Sequence, residues 1–157
     1  MIEPLAMNEL IRETVALMRT ELTRHGVDVE TDLRASLPII GDRVQLQQVL
    51  VNLFLNGADA MSAVTDRPRR LVVRSRDEGE AQVVVDIADT GVGLASGDAD
   101  RIFTAFFSTK ADGLGMGLSI SRSIVEAHGG RLWATPNVGL SGATFHFTLP
   151  AATEVPA

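Results

Sequence analysis

Residues 42–61 read D-R-V-Q-L-Q-Q-V-L-V-N-L-F-L-N-G-A-D-A-M, and this stretch decides the fold. One side of it is apolar at helical spacing, at Leu46, Val49, Leu50, Leu53, Gly57 and Ala60. Asp42 is followed three positions later by Gln45, which resembles a capping box at the start of a helix. The segment therefore predicts a helix that ends before Pro68.

A stripe of neutral amides and one acid runs beside this apolar face. At 100° per residue its members fall within about 80° of one another: Gln45, Gln48, Asn52, Asn56 and Asp59. Lys and Glu are better helix formers, so amides are a poor choice for a merely solvated face. Two interpretations remain: a hydrogen-bonded ladder on the helix surface, or a site where Asn56 offers its side-chain oxygen to Mg²⁺ and Asn52 borders the same phosphate site.

Helices and strands flank this segment on both sides. A first helix, closed by Gly26, is predicted from apolar residues spaced by four and three: Met7, Ile11, Val15, Met18 and Leu22. A third helix should run from near Met116 to His128. Five strands are predicted at Val27–Leu33, Leu71–Arg76, Gln82–Ala88, Arg131–Thr135 and Ala143–Leu149. Because the strands cluster late and do not alternate strictly with helices, the pattern predicts an α+β fold. About three helices would cover one face of a mixed, mostly antiparallel sheet.

The chain length fits one compact domain. Its 157 residues are enough for a real core and too few for two comfortable domains. Only the two ends have the composition of loose segments, at Met1–Leu5 and at 151–157. Leu37-Pro38 and Gly41 are expected to interrupt regular secondary structure. We therefore expect a single domain over residues 1–150 and a flexible tail over 151–157.

Composition excludes several classes of function. The net charge of −6 argues against a general nucleic-acid binder, and 4% aromatic residues give little to stack single-stranded bases on. Zero cysteines exclude disulfides, thiolate chemistry and a cysteine-based zinc site. No apolar run approaches the length needed to cross a bilayer. What remains is a reduced, soluble, acidic α/β-type domain.

Asp89 ends a predicted strand in an unusual way. Val83, Val85 and Ile87 share one face of that strand, and Asp89 continues their parity toward the core. A carboxylate aimed at the core must find a partner or shift its pKa. Thr90-Gly91-Val92-Gly93 follows, so the backbone can turn sharply. Either this is a structural turn, or Asp89 is a buried acceptor for an exocyclic amine such as that of adenine.

A glycine-rich segment, G-L-G-M-G-L-S at 113–119, leads into the third helix. Glycines before a helix N-terminus expose N–H groups that suit phosphate, although the segment is not a P-loop. Lys110 lies just upstream, either as a solvated loop residue or as a charge on a phosphate tail. Phe103, Phe106 and Phe107 are either core aromatics or the hinge of a mobile lid.

Taken in order, these motifs resemble the catalytic and ATP-binding domain of bacterial sensor histidine kinases, in the superfamily shared with gyrase, Hsp90 and MutL. The resemblance covers nearly the whole chain and rests on five motifs. They are the N box (Gln47–Met61), the G1 box D-T-G-V-G-L (Asp89–Leu94), the F box R-I-F-T-A-F-F-S-T-K (Arg101–Lys110), the G2 box G-L-G-M-G-L-S-I (Gly113–Ile120) and G-A-T-F (Gly142–Phe145). Gly57 departs from the pattern, because the family usually has alanine there.

The resemblance implies a two-layer α/β sandwich of the Bergerat type that holds ATP between the N-box helix and a lid. Asn56 would bind Mg²⁺, and Asp89 would receive the adenine amine directly and through water. Gly91 and Gly93 would shape the base pocket, and the phosphates would be held by Lys110, Gly115 and Gly117. The remaining candidate nucleotide contacts are Asn52, Asp59, Phe107, Gly113, Met116, Leu118 and Thr144. Asn52, Asn56 and Lys110 are the candidate catalytic residues.

The implied reaction is transfer of the γ-phosphate of Mg-ATP to a histidine. Hydrolases of the superfamily carry a glutamate four residues before the metal asparagine; Asn52 occupies that position here and cannot act as a general base, so slow hydrolysis at most is expected. In the kinases the acceptor histidine precedes an acidic residue on a separate dimerisation domain. His25, His128 and His146 have no such neighbour and are interpreted as structural, which makes the chain a fragment or a module acting in trans.

The resemblance also implies partners and a location. The acceptor and dimerisation domain would be the direct partner, with a response regulator receiver domain downstream, and no contact with nucleic acid or membrane by this domain itself. The location would be cytoplasmic, whether or not the parent sensor is membrane-anchored. Two alternatives stay open: a serine kinase of the anti-sigma-factor type, and a nucleotide-sensing interaction module in which ATP only orders the lid.

Overall fold

A computed structural model describes residues 1–92, 117–137 and 141–152. Within these ranges the chain forms seven strands and three helices. In chain order they are β1 (Ile2–Leu5), α1 (Met7–Arg24), β2 (Asp28–Leu33), β3 (Ile39–Asp42), α2 (Arg43–Ala60), β4 (Arg70–Glu78), β5 (Gln82–Ala88), α3 (Gly117–Ala127), β6 (Arg131–Pro136) and β7 (Ala143–Pro150). None of the three helices is both long enough and apolar enough to span a membrane.

Five of the strands form one mixed sheet in the order β2-β4-β5-β7-β6. The β2–β4 pair is parallel, and the other three pairs are antiparallel. The mixed, mostly antiparallel sheet that the sequence predicts is therefore confirmed. The β5–β7 register places Ala88 opposite Thr144, so Asp89 leaves the sheet beside the start of β7.

The core lies between this sheet and the helices, as predicted. On β5 the side chains of Val83, Val85 and Ile87 are buried in the same apolar cluster as those of Phe145 and Phe147 on β7. The largest fully buried side chains of α2 are Leu46, Leu50, Leu53 and Phe54. Burying such a side chain stabilises the fold by about 1.5–3 kcal/mol, so α2 anchors the helical layer.

The opposite face of the sheet carries a polar cluster. Trp133, His146 and Asp86 are cross-strand neighbours on β6, β7 and β5, so they share one face. His146 lies between Asp86 Oδ1 (2.7 Å from Nδ1) and Thr135 Oγ1 (2.8 Å from Nε2), and its ring stacks on Trp133 with centroids 5.1 Å apart. Arg76 also pairs with Asp86, at 2.6 Å. Burial alone would raise the pKa of Asp86, but His146 and Arg76 outweigh it and hold that pKa below its usual value.

Two expectations, for the start of the chain and for Gly41, are wrong. The segment Met1–Leu5, predicted to be loose, contains β1, which pairs antiparallel with β3. Gly41, predicted to break the chain, lies inside β3, where a Cβ would be 2.8 Å from Leu46 Cδ1 and 2.9 Å from His128 Cδ2. A two-stranded pairing of four residues each is too short to leave a clear alternating pattern in the sequence. At the other end, Ala151 and Ala152 donate backbone hydrogen bonds to Ala81 and Pro38, and residues 153–157 lie outside the described ranges.

The start of α2 is capped as the sequence predicts, with one difference. Asp42 Oδ1 accepts hydrogen bonds from the backbone N–H groups of Val44 (3.0 Å) and Gln45 (3.1 Å). The Asp42 N–H donates to His128 Nε2 at 3.1 Å and not to Gln45, so the reciprocal half of the capping box is replaced by a tertiary contact. His128 Nδ1 in turn donates to the Ile124 carbonyl at 2.8 Å. This histidine therefore joins the end of α3 to the start of α2.

Candidate functional site

Asp89, at the end of β5, is the buried acid that the strand parity predicts. Its residue is 3% exposed, and Oδ1 accepts hydrogen bonds from the N–H groups of Gly91 (2.8 Å) and Ala143 (3.4 Å). Burial raises the pKa of Asp89, and these two N–H groups only partly oppose that effect. A carboxylate held in this way favours a ligand group that donates hydrogen bonds to it.

Gly57 brings the middle of α2 close to this carboxylate. A Cβ built on Gly57 would lie 3.6 Å from Asp89 Cβ and 4.0 Å from Asp89 Oδ2, so the helix faces the carboxyl group directly. The same atom would lie 2.8 Å from Leu71 Cδ1, closer than real Cβ atoms come to a neighbour. The glycine that departs from the family pattern is thus part of the wall next to Asp89.

Gly91 permits a close approach between the turn after β5 and the end of α2. A Cβ on Gly91 would lie 2.4 Å from the Ala60 carbonyl oxygen. The next residue, Val92, donates its N–H to that same oxygen at 3.1 Å. Of the two glycines assigned to the base pocket, Gly91 is therefore required here by backbone proximity, whereas Gly93 lies outside the described residues.

Two side chains that the sequence did not single out hold the carbonyls of this turn. Asn137 Nδ2 donates to the Asp89 carbonyl at 2.8 Å, and Thr144 Oγ1 donates to Asn137 Oδ1 at 2.6 Å. Arg67 donates to the Thr90 carbonyl from Nε at 2.9 Å and to the Gly91 carbonyl from Nη2 at 2.8 Å. Asn137 follows β6 in the connection to β7, where its residue type is common anyway, and Arg67 belongs to a short run of arginines that share no pattern. Thr144, a candidate nucleotide contact, supports the turn through Asn137.

The amide stripe of α2 meets the N-terminus of α3. Asn52 Nδ2 donates hydrogen bonds to the Gly117 carbonyl oxygen at 3.3 Å and to Ser121 Oγ at 3.2 Å. Asn52 and Gly117, two predicted site residues 65 positions apart, are therefore brought together. Asn56 and Asp59 follow along the same helix and are half-buried. Leu118 packs against the apolar core.

Six predicted site residues lie outside the described ranges: Gly93, Phe107, Lys110, Gly113, Gly115 and Met116. The described part of the candidate site is built from α2, the end of β5, the start of α3 and the start of β7.

The interpretation of the three histidines as structural agrees with their contacts. His25 Nε2 is 3.2 Å from Glu21 Oε1, one turn earlier on α1. His128 and His146 bind the groups described above, at the α2 N-terminus and on the outer sheet face.

The match to known proteins agrees with this geometry. Residues 41–153 match the family described as "Histidine kinase-, DNA gyrase B-, and HSP90-like ATPase". The chain belongs to that family, and its fold is that of a histidine kinase catalytic domain. Membership of an ATPase family implies ATP binding by the domain.

Its relatives include two sensor proteins. FixL of Bradyrhizobium diazoefficiens is 44% identical over 150 residues, which are 95% of this chain and 29% of that protein. TdiS of Thauera aromatica is 38% identical over 149 residues, 94% of this chain and 27% of that protein. The chain thus spans less than a third of the length of either relative.

Two solved structures show the same fold. The nucleotide-free catalytic domain of histidine kinase ThkA superposes with a TM-score of 0.83 at 29% identity, covering 98% of this chain and 99% of that one. Full-length ShkA, solved in complex with AMPPNP, gives a TM-score of 0.83 at 27% identity over 99% of this chain and 32% of its own.

Proposed function

We propose that this domain binds Mg-ATP and transfers its γ-phosphate to a histidine on a separate dimerisation and phosphoacceptor domain. The observation that carries the proposal is the buried, N–H-bonded carboxylate of Asp89: Gly57 lets α2 pack beside it, and Gly91 lets the turn after β5 pack against the end of α2. The crystal structure of full-length ShkA in complex with AMPPNP, an ATP analogue, supports the assignment by similarity.

In this proposal the adenine base lies against Asp89. An ionised carboxylate accepts hydrogen bonds only, so Asp89 selects the exocyclic amine of adenine and rejects the carbonyl that guanine has at the same position. Gly57 lets α2 pack closely beside Asp89, and Gly91 lets the turn after β5 pack against the end of α2, so both glycines help to fix the carboxylate that faces the base. Asp59, Gly93, Phe107, Leu118 and Thr144 complete the proposed surroundings of the nucleoside.

The polar side of α2 fits the magnesium that ATP carries. Asn56 offers a side-chain carbonyl oxygen, which is a ligand type that Mg²⁺ accepts, and the residue is only half-buried. When bound, Mg²⁺ neutralises phosphate charge during transfer. We assign the phosphates to Lys110, Gly113, Gly115, Met116 and Gly117, with Asn52 at their edge.

Asn52 also explains why transfer rather than hydrolysis is proposed. Its amide cannot take a proton from water, and its nitrogen is already bound to the Gly117 carbonyl and to Ser121. Asn52 therefore holds the start of α3 in place and supplies no general base. The γ-phosphate is left for an incoming imidazole.

Two partners follow from the same proposal. The acceptor domain would belong to the same parent protein or act in trans, and a response regulator receiver domain would take the phosphoryl group next, in the cytoplasm. A solved complex of ThkA with the response regulator TrrA supports the second partner by similarity.

The test combines binding with transfer. Calorimetric titration of Mg-ATP into the folded domain should show saturable binding, and Asp89→Asn should abolish it. Adding a purified acceptor domain and labelled ATP should give an acid-labile phosphohistidine. An acid-stable phosphoserine would contradict histidine transfer, and no binding at millimolar ATP would refute the proposal as a whole.

A further inference from the structure

Arg67 forms a two-point contact with the turn after Asp89. Its Nε and Nη2 atoms donate to the carbonyls of Thr90 and Gly91 at 2.9 and 2.8 Å. The third nitrogen, Nη1, pairs with Asp66 Oδ1 at 2.9 Å. The Arg67 side chain is 30% exposed, so these charge-assisted bonds are partly shielded from water.

Three consecutive carbonyls of the turn are held by side chains. Asn137 binds the Asp89 carbonyl from the β6–β7 side, and Arg67 binds the next two from the α2–β4 loop. A peptide unit is planar, so fixing these carbonyls also fixes the N–H of Gly91, which donates to Asp89 Oδ1. Arg67 thus acts on the carboxylate through the backbone and does not contact it.

We infer that Arg67 is a positioning residue for recognition of the nucleotide base: its guanidinium sets the turn that holds Asp89 in place. The inference rests on the proposed function. The planar fork of arginine suits two neighbouring carbonyls, whereas lysine offers one point charge and can satisfy only one of them well.

Arg69 provides a matched control in the same loop. Its guanidinium also binds backbone carbonyls, those of Val64 (3.1 Å), His25 (2.8 Å) and Ser62 (3.0 Å). None of these belongs to the turn at residues 89–92. Replacing Arg67 or Arg69 would therefore loosen the loop in general. Only replacement of Arg67 is expected to impair base recognition.

The experiment compares Arg67→Gln, Arg67→Lys and Arg69→Gln by calorimetric titration with Mg-ATP, ADP and GTP. Arg67→Gln should raise the Kd for ATP at least tenfold, or 1.4 kcal/mol, and the Kd for ADP by the same factor, because the base end is affected. The preference for ATP over GTP should narrow. Arg67→Lys should weaken ATP binding three- to tenfold, and Arg69→Gln should stay within twofold of wild type.

Two further measurements separate positioning from general stability. In the free protein, amide exchange at Gly91 and Val92 should accelerate in Arg67→Gln and not in Arg69→Gln. In the transfer assay, the KM for ATP should rise while kcat stays within twofold. If circular dichroism shows that Arg67→Gln is unfolded, the test uses Arg67→Lys, whose Kd for ATP is expected to be three to ten times that of the wild type.

The outcomes that overturn the inference are distinct from those that overturn the function. Equal ATP affinity in wild type and Arg67→Gln, wild-type affinity in Arg67→Lys, or an equal loss in Arg69→Gln would refute the role of Arg67 while leaving ATP binding intact. A wild-type domain that binds no ATP would refute the proposed function before any variant is compared.

Discussion

Replacing Gly91 with alanine should destabilise the domain by about 2–4 kcal/mol. The new Cβ would lie 2.4 Å from the Ala60 carbonyl oxygen, whereas real Cβ atoms essentially never come closer than 3.0 Å to such a neighbour. Gly91 is not among the positive-φ glycines, so its backbone conformation suits alanine and the effect comes from crowding against Ala60.

The magnitude follows from what must move. To relieve the contact, the turn after β5 and the end of α2 must separate by at least 0.6 Å, so that the distance from the new Cβ to the Ala60 carbonyl oxygen grows from 2.4 to 3.0 Å. Overpacking of this kind costs about 1–3 kcal/mol. Separation also weakens the 3.1 Å hydrogen bond from the Val92 N–H to the Ala60 carbonyl, which contributes about 1 kcal/mol.

The assay is urea unfolding followed by far-UV circular dichroism, with Gly117→Ala as the control. A Cβ on Gly117 would lie 3.8 Å from Asn52 Cγ, an ordinary contact, so the control should change the free energy of unfolding by less than about 1 kcal/mol. If Gly91→Ala proves as stable as Gly117→Ala, the close approach between the turn and α2 does not exist as described.

Three other substitutions test the charges of the domain. Burial raises the pKa of Asp89 in the folded domain. The contribution of Asp89 to stability is therefore greatest at a pH below the pKa that it has in the unfolded chain, and it is lost as the pH rises through the pKa that it has in the folded domain. Asp89→Asn should therefore unfold at higher urea than wild type at pH 7 and at the same urea near pH 3, even though it binds no ATP; lower stability at pH 7 would contradict this. The pKa of Asp86 is lowered, so its contribution is present above the unfolded pKa and is lost as pH falls through the folded one. Asp86→Asn should lower the free energy of unfolding by about 1.5–3 kcal/mol at pH 7, the scale of hydrogen bonds to charged groups, and by less in acid. Unfolding can be followed by the emission of Trp133, which stacks on His146. An equal loss at pH 3 would assign the effect to packing instead. Asn56→Asp should weaken productive Mg-ATP binding and abolish transfer to the acceptor, and normal transfer would remove Asn56 from the metal role.

At Gly57, helix propensity and packing oppose each other. Alanine in a helix interior is favoured over glycine by about 0.8–1 kcal/mol. Here the added methyl group would press on Leu71 Cδ1 at 2.8 Å, the far end of a flexible side chain that is nonetheless fully buried. Glycine at this position therefore relieves a contact with β4 beside Asp89.

Much of the architecture could be predicted from local patterns. The spacing of apolar residues in 42–61 indicates a helix with one buried side, and the parity of β5 indicates that Asp89 turns inward; both depend only on the periods of 3.6 and 2. The β1–β3 pairing was missed because each strand is four residues long, and its partner lies about forty positions away.

The sequence by itself determined most of the helices and strands, the core-facing position of Asp89 and the ordered motifs. Each of these depends on short-range periodicity or on a contiguous string of residues. Only the tertiary structure decided which side chains support that acid. Arg67 lies 23 positions from Thr90, and Asn137 lies 48 from Asp89, in loops that carry no period. Their role depends on where the packed core brings the three carbonyls and these two side chains together, and hydrogen bonds between residues so far apart have no signature along the chain.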